Sequence, residues 1–158
     1  MGVNFVNKID IANGLIFQTL KINKDSFDDR LLSQKKIYLL EQLGVDLGYS
    51  YNWYIRGPYS PDLTTYIFNN LDMLKEQDFS SYKISNSVEQ EIQKINNMVD
   101  SKPSELSVPS WYELLASVLY IKKNWNSPDC YQSLIEHKPQ YTKEQYELAI
   151  NQLKEIGL

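Results

Sequence analysis

Apolar residues at positions 9, 12, 16 and 20 (Ile9, Ala12, Ile16, Leu20) recur at helical spacing, which predicts a helix over residues 8–20. Gly14 inside it is a weak point, about 1 kcal/mol worse than alanine in a helix interior. Phe27, Leu31, Leu32, Tyr38, Leu39 and Leu43 repeat in the same way over 27–43. Ser26 with Asp29 supplies a shortened capping box at the start, and Gly44-Val45 the left-handed residue and apolar follower of a Schellman ending. The period then switches to two. Tyr49, Tyr51, Trp53 and Ile55 share one face of an extended strand that Gly57-Pro58 should break. Ser60 caps a further helix, 61–74, with Pro61 at its first position, Asp62 at its second and a stripe of Leu63, Ile67, Leu71 and Leu74. A weaker strand candidate, 81–85, could pair with the first. Ser87 and Gln90 form a capping box for a helix running through Ile92, Ile95 and Val99.

Residues 100–109 (DSKPSELSVP) hold two prolines and three serines and read as a connector between sub-domains 1–99 and 110–158, packed as one domain. Three helices follow it. Ser110 and Glu113 box the first, 111–125; Ser127 with Pro128 opens the second, ending near His137; Thr142 and Gln145 box the third, 143–156, with Tyr141 and Tyr146 placed as a hydrophobic staple. The predicted class is mainly α, a multi-helix domain with a small two-stranded β element and a winged-helix-like C-terminal three-helix part.

At 158 residues, with 42% apolar and 23% charged side chains, the chain can build a single real core, and disorder or a coiled-coil rod is excluded. The formal charge of −4 is spread evenly, with eight basic and ten acidic side chains in each of 1–79 and 80–158, so a basic nucleic-acid-binding arm is absent. One cysteine, Cys130, cannot form an internal disulfide, which points to a reducing, cytoplasmic setting. The longest apolar stretch, 114–121, is too short for a bilayer, MGVNFVNKID has no signal-peptide core, and Val6 stands where a myristoylation motif wants Ser or Thr. No membrane association is expected.

Catalytic chemistry finds little footing. Cys130 and His137 lie seven apart on one helix face, but two turns separate them by about 10.5 Å, too far for a nucleophile and its base. A buried thiol and a histidine complementing a helix C-terminus is the simpler reading. One His and one Cys do not make a structural zinc site, and no phosphate-binding, dinucleotide or hydrolase motif is present, so neither metal nor cofactor is expected and the chain reads as a non-enzyme. Helix 143–156 has the proportions of a recognition helix, and Asn151 and Gln152 could read bases, which makes a DNA-binding regulator the alternative. Glu144, Glu147 and Glu155 against Lys143 and Lys154 would face a polyanion with net negative charge, and Leu158 stands where a wing hairpin would begin.

The most informative stretch is 49–63. Tyr49, Tyr51, Trp53, Tyr54, Arg56 and Tyr59 are the residue types that dominate binding hot spots. Alternation sends Tyr49, Tyr51 and Trp53 inward and leaves Tyr54 and Arg56 on the other face. Free N–H groups at the start of helix 61–74 would lie beside Arg56 as a site for an acidic group. Tyr54, Arg56, Tyr59 and Ser60 are therefore the candidate partner-binding residues. The competing reading is an aromatic plug joining the two sub-domains.

The run Leu31 to Leu40 containing Gln34-Lys35, then Gly48-Tyr49, then Gly57-Pro58-Tyr59-Ser60 with Leu63, resembles the YwgA-like bacterial and archaeal proteins. The same order, with Ile11-Ala12-Asn13, is also similar to the Panacea domain of antitoxins and phage-associated proteins. The likeness covers residues 9–74; Ser33 and Lys36 depart from the usual apolar–Gln–Lys–apolar run. It implies a non-enzymatic helical domain acting as an antitoxin or adaptor, with another protein (a toxin among the candidates) as partner and a homodimer as one arrangement.

Overall fold

In the computed structural model, which describes residues 7–158, the chain forms seven α-helices, one 3-10 turn and a two-stranded sheet. The helices are α1 (Lys8–Leu20), α2 (Phe27–Gln42), α3 (Pro61–Glu76), α4 (Asn86–Asn97), α5 (Val108–Asn124), α6 (Cys130–His137) and α7 (Lys143–Ile156). The strands are β1 (Asn52–Tyr54) and β2 (Gly57–Tyr59). The fold is mainly α with a small antiparallel ribbon, as the periodicities predict. Expectations about the N-terminal segment, Val6 included, fall on residues 1–6 and lie outside the described residues.

Two capping boxes form as read, Ser26–Asp29 on α2 and Thr142–Gln145 on α7. Gly44 takes φ +100°, and the Val45 N–H reaches the Leu40 carbonyl, the long bond of a Schellman ending. Other starts move. Ser85 rather than Ser87 caps α4, because its hydroxyl already accepts the Val88 N–H. Ser107 rather than Ser110 caps α5, so Pro109 falls in the first turn, where its missing N–H is no loss, and the predicted connector shrinks. Asp129 rather than Ser127 caps α6, which makes Cys130 its first residue instead of its third.

The sheet departs most from expectation. β1 pairs not with 81–85, which forms no strand, but with β2 directly after it, in the register Asn52–Tyr59, Trp53–Pro58, Tyr54–Gly57. Gly57-Pro58 thus belongs to the ribbon, and the chain reverses at Ile55-Arg56. Closing a two-residue loop loses far less chain entropy than recruiting a segment some thirty residues away. Among described non-glycine residues only Lys21 has positive φ, so Ile55 and Arg56 do not; Gly57, at φ +88°, supplies the left-handed residue that follows a type I turn in such hairpins.

Helix α5 is the axis of the core. Every residue from Trp111 to Leu119 is buried, so the helix is enclosed on all sides by α2, α6, α7 and β2. One apolar cluster runs from Ile16 to Ile156 and includes Tyr38, Leu63, Ile92, Trp111 and Leu153. On α1 the buried face is Asn13, Gly14, Ile16, Phe17 and Leu20, while Ile9 and Ala12 are exposed. Gly14 is a close-approach position: a Cβ there would come within 2.5 Å of the buried Phe79 ring.

Candidate functional site

The hairpin is tied down by buried lysines. Glu113 and Ser117, one turn apart on α5, form the only polar stripe in its Trp111–Leu119 stretch and face the ribbon. Gly57 lies directly on the Ser117 hydroxyl, leaving no room for a Cβ. Lys138, after α6, donates to the Ile55 carbonyl at 2.9 Å and to Glu113 Oε1 at 2.6 Å, with both side chains almost wholly buried. From α2, Lys35 donates to the Pro58 carbonyl at 2.6 Å. Neighbouring Gln34 takes both backbone polar groups of Ser60: its Nε2 donates to the Ser60 carbonyl at 2.9 Å and its Oε1 accepts the Ser60 N–H at 3.0 Å. The same amide donates to Thr64 Oγ1 at 2.8 Å. The Gln34-Lys35 and Gly57-Pro58-Tyr59-Ser60 segments, distant in sequence, are therefore two halves of one clamp, with Leu63 fully buried beneath it.

This clamp presents a corner to solvent. Tyr54 is 43% exposed and meets Tyr59 edge-on at 5.1 Å, and Ile55 at the tip is 92% exposed. The Arg56 side chain is half exposed; it reaches Glu113 Oε2 at 3.4 Å and lies over the Phe27 ring at 5.6 Å. Between the hairpin, α2 and α3 opens a concavity of about 350 Å³. Phe27 from the start of α2 and Phe68 from α3 line it together with Tyr54 and Ile55. Its charged lining residues are Arg30, Lys35 and Arg56, with no carboxylate. Arg30 donates to the Lys24 carbonyl at 3.0 Å.

The structure thus gathers Tyr54, Arg56 and Tyr59 at one exposed corner. Ser60 is different: it has no exposed surface, and its side chain caps α3 by accepting the Leu63 N–H, so it positions the corner and cannot contact a partner. The expected anion site at the α3 start is weakened too. Ser60 takes the Leu63 N–H, Pro61 has none to give, and Asp62 puts a negative charge on the first turn. Tyr49, Tyr51 and Trp53 pack inward, Tyr51 on Tyr38 at 5.0 Å, Trp53 on Trp125 at 4.7 Å and Tyr49 on Tyr66 at 6.3 Å. Ile55, expected on the same strand face, is not there, because only Asn52–Tyr54 forms the strand and the reversal at Ile55-Arg56 leaves it 92% exposed. The inner face of this stretch is an aromatic plug, and the surface lies on the turn and the opposite face.

Several contributors escape a reading of local pattern. Phe27 looks like an ordinary member of the α2 stripe and Phe68 falls outside the α3 stripe, and their shared place is visible only when α2 and α3 are set side by side. Glu113 reads as the partner of a Ser110 box, but it is a buried counter-ion; the signal was a lone carboxylate within the apolar run of α5. Burial lowers the Lys35 amine to about 7, with Lys138 and Arg56 pushing the same way and Glu113 opposing. Burial also raises Glu41 to about 7; Tyr51 donates to it at 3.4 Å.

Elsewhere, Cys130 and His137 are not brought together. The thiol faces the Val118 carbonyl at 3.9 Å and burial raises its pKa, while the His137 ring packs on Trp125 at 4.9 Å and Trp53 at 5.7 Å. On α7 Gln152 is buried, which removes it as a base reader, while Asn151 is exposed beside Glu147, Lys154 and Glu155. Among the described residues no group of three His, Cys, Asp or Glu is placed to hold a metal ion, and no helix is long and apolar enough to cross a membrane. No protein-family model, characterised protein or solved structure matches the chain.

Proposed function

We propose that this protein is a non-enzymatic interaction module, of antitoxin or adaptor type, that docks another protein through the corner formed by Tyr54, Ile55, Arg56 and Tyr59. One observation carries the reading. Among the described residues seven large apolar side chains are exposed, and four of them, Phe27, Tyr54, Ile55 and Phe68, surround the same concavity. Scattered exposed apolar residues need no explanation, but a cluster rimmed by arginine has the make-up of a binding hot spot. The hairpin is held from beneath by Lys35, Gln34 and Lys138, so the corner is rigid and little order is lost on docking. The likeness read from the sequence of residues 9–74 to YwgA-like and Panacea-type proteins supports the antitoxin or adaptor reading.

A photo-crosslinking amino acid placed at Ile55 tests this in cells. The expected result is a discrete adduct with one protein, absent when the probe is moved to exposed Leu148 on α7. The adduct should fall away with Arg56→Ala while the far-UV circular dichroism spectrum stays unchanged. A probe at Ile55 that yields no adduct, or the same adducts as one at Leu148, refutes the docking site.

A further inference from the structure

The same concavity specifies the chemistry of its occupant, an inference that rests on the docking role just described. Its walls carry the apolar side chains Phe27, Phe68, Tyr54 and Ile55, while its ionisable lining is all basic: Arg30, Arg56 and the buried Lys35. No carboxylate lines the cavity: Glu113 is held by Lys138 and Arg56 beneath the hairpin, and Asp72 pairs with Lys24 at 3.1 Å. The protein carries a net charge of −4, and Asp28, Asp29 and Asp62 lie on the adjoining first turns of α2 and α3, yet the lining itself holds only basic ionisable side chains, a local reversal of the overall sign.

We propose that this site binds a linear acidic segment of the partner protein, in which one aromatic or branched apolar side chain enters between Phe27, Phe68 and Tyr54 and a flanking Asp or Glu meets Arg56 and Arg30. The bond from Arg56 to Glu113 uses one of five guanidinium donors, and the half-exposed remainder is free to take a second carboxylate in bidentate fashion. Lys35, fully buried and donating to the Pro58 carbonyl, holds the cavity wall and makes no direct contact with the occupant. A peptide fits better than a small anion. At about 350 Å³ the cavity lies at the low end of pockets that enclose a drug-sized ligand. An occupant of that size would leave Ile55, 92% exposed at the rim, in water, whereas the chain on either side of an inserted side chain would cover it.

Fluorescence anisotropy on the full chain decides the matter with four labelled or competing probes. The first is a twelve-residue peptide with one central Trp flanked by Asp and Glu. The second has Lys in place of each acid, the third has Ala in place of Trp, and the fourth is phenylacetate as a competitor. The first should bind, and the second and third should bind at least tenfold more weakly. Arg56→Ala or Arg30→Ala should cost the first peptide about tenfold, the weight of one hydrogen bond to a charged group. Raising salt from 0.1 to 1 M should weaken it further, since the screening length falls from about 10 to about 3 Å. Equal binding of the acidic and lysine peptides, no binding of any, or indifference to both arginine substitutions overturns the proposal. Displacement by phenylacetate at concentrations as low as those of the peptide overturns it in favour of a small anionic ligand. If the peptides fail while the Ile55 adduct persists, the docking corner stands and only the acidic specificity is lost; if both fail, the interaction role itself is refuted.

Discussion

Replacing Glu113 by glutamine keeps the shape of the side chain and removes its charge, which makes it the sharpest probe of how the hairpin is held. Glu113 is the counter-ion of Lys138 at 2.6 Å, and both are almost completely buried. Breaking a buried pair by neutralising one partner costs about 3–5 kcal/mol, because the other charge stays desolvated without compensation. The glutamine oxygen can still accept from Lys138, and the Ile55 carbonyl remains its second acceptor, so about 3 kcal/mol is the expected loss. For a chain of this length each kcal/mol moves the melting temperature by about 2–4 °C, so Glu113→Gln should melt about 6–12 °C lower. Arg56→Ala removes the other partner of Glu113 but should cost less than about 1 kcal/mol, since its side chain is half exposed. The double change Glu113→Leu with Lys138→Met removes both charges and should recover most of the loss, since apolar replacements of buried pairs are often neutral. Thermal melts followed by circular dichroism and by tryptophan fluorescence suit the question, because Trp53 lies under the Lys138 ammonium at 5.6 Å. Melting of Glu113→Gln within 2 °C of the parent, or a double variant no better than the single one, would refute the buried-pair account.

Two further outcomes can be checked alongside it. The Lys35 amine titrates near 7 in the folded protein against 10.5 when unfolded, so between those values the unfolded chain holds the extra proton and folding is favoured as pH rises. Stability should therefore climb by up to about 1.4 kcal/mol per pH unit from 7 to 9 on account of this group, and the difference between parent and Lys35→Met in urea titrations at pH 6, 7.5 and 9 should show that slope; a difference independent of pH contradicts it. Gly14→Ala gains about 1 kcal/mol of helix propensity but drives a Cβ to within 2.5 Å of the Phe79 ring, and overpacking of about 1–3 kcal/mol should win, with Phe79→Leu restoring stability to the double variant. A stabilised single variant would show that the ring can step aside.

Much of the fold is legible in the chain because helices signal themselves locally. The boxes at Ser26–Asp29 and Thr142–Gln145, the Schellman ending at Gly44-Val45 and the Ser60-Pro61 start depend on contacts within four or five residues, and they form as the pattern requires. Where two serines compete for a cap, as at 85 and 87 or 107 and 110, local pattern does not choose between them. The crowding of tyrosine, tryptophan and arginine between 49 and 63 marks the region of the candidate site, and period-two alternation assigns Tyr51 and Trp53 to the interior.

The meeting of distant segments is not written in any such window. Nothing near Gln34-Lys35 reveals that the two side chains grip Ser60 and Pro58, that Glu113 is a counter-ion to Lys138, or that Phe27 and Phe68 line one hollow with Tyr54. Backbone periodicity and capping arise from short-range sterics and hydrogen bonds, so neighbouring residues suffice to specify them. Burial of a charge and closure of a cavity depend on which helices come to lie side by side, a choice made by the core as a whole when α5 is enclosed.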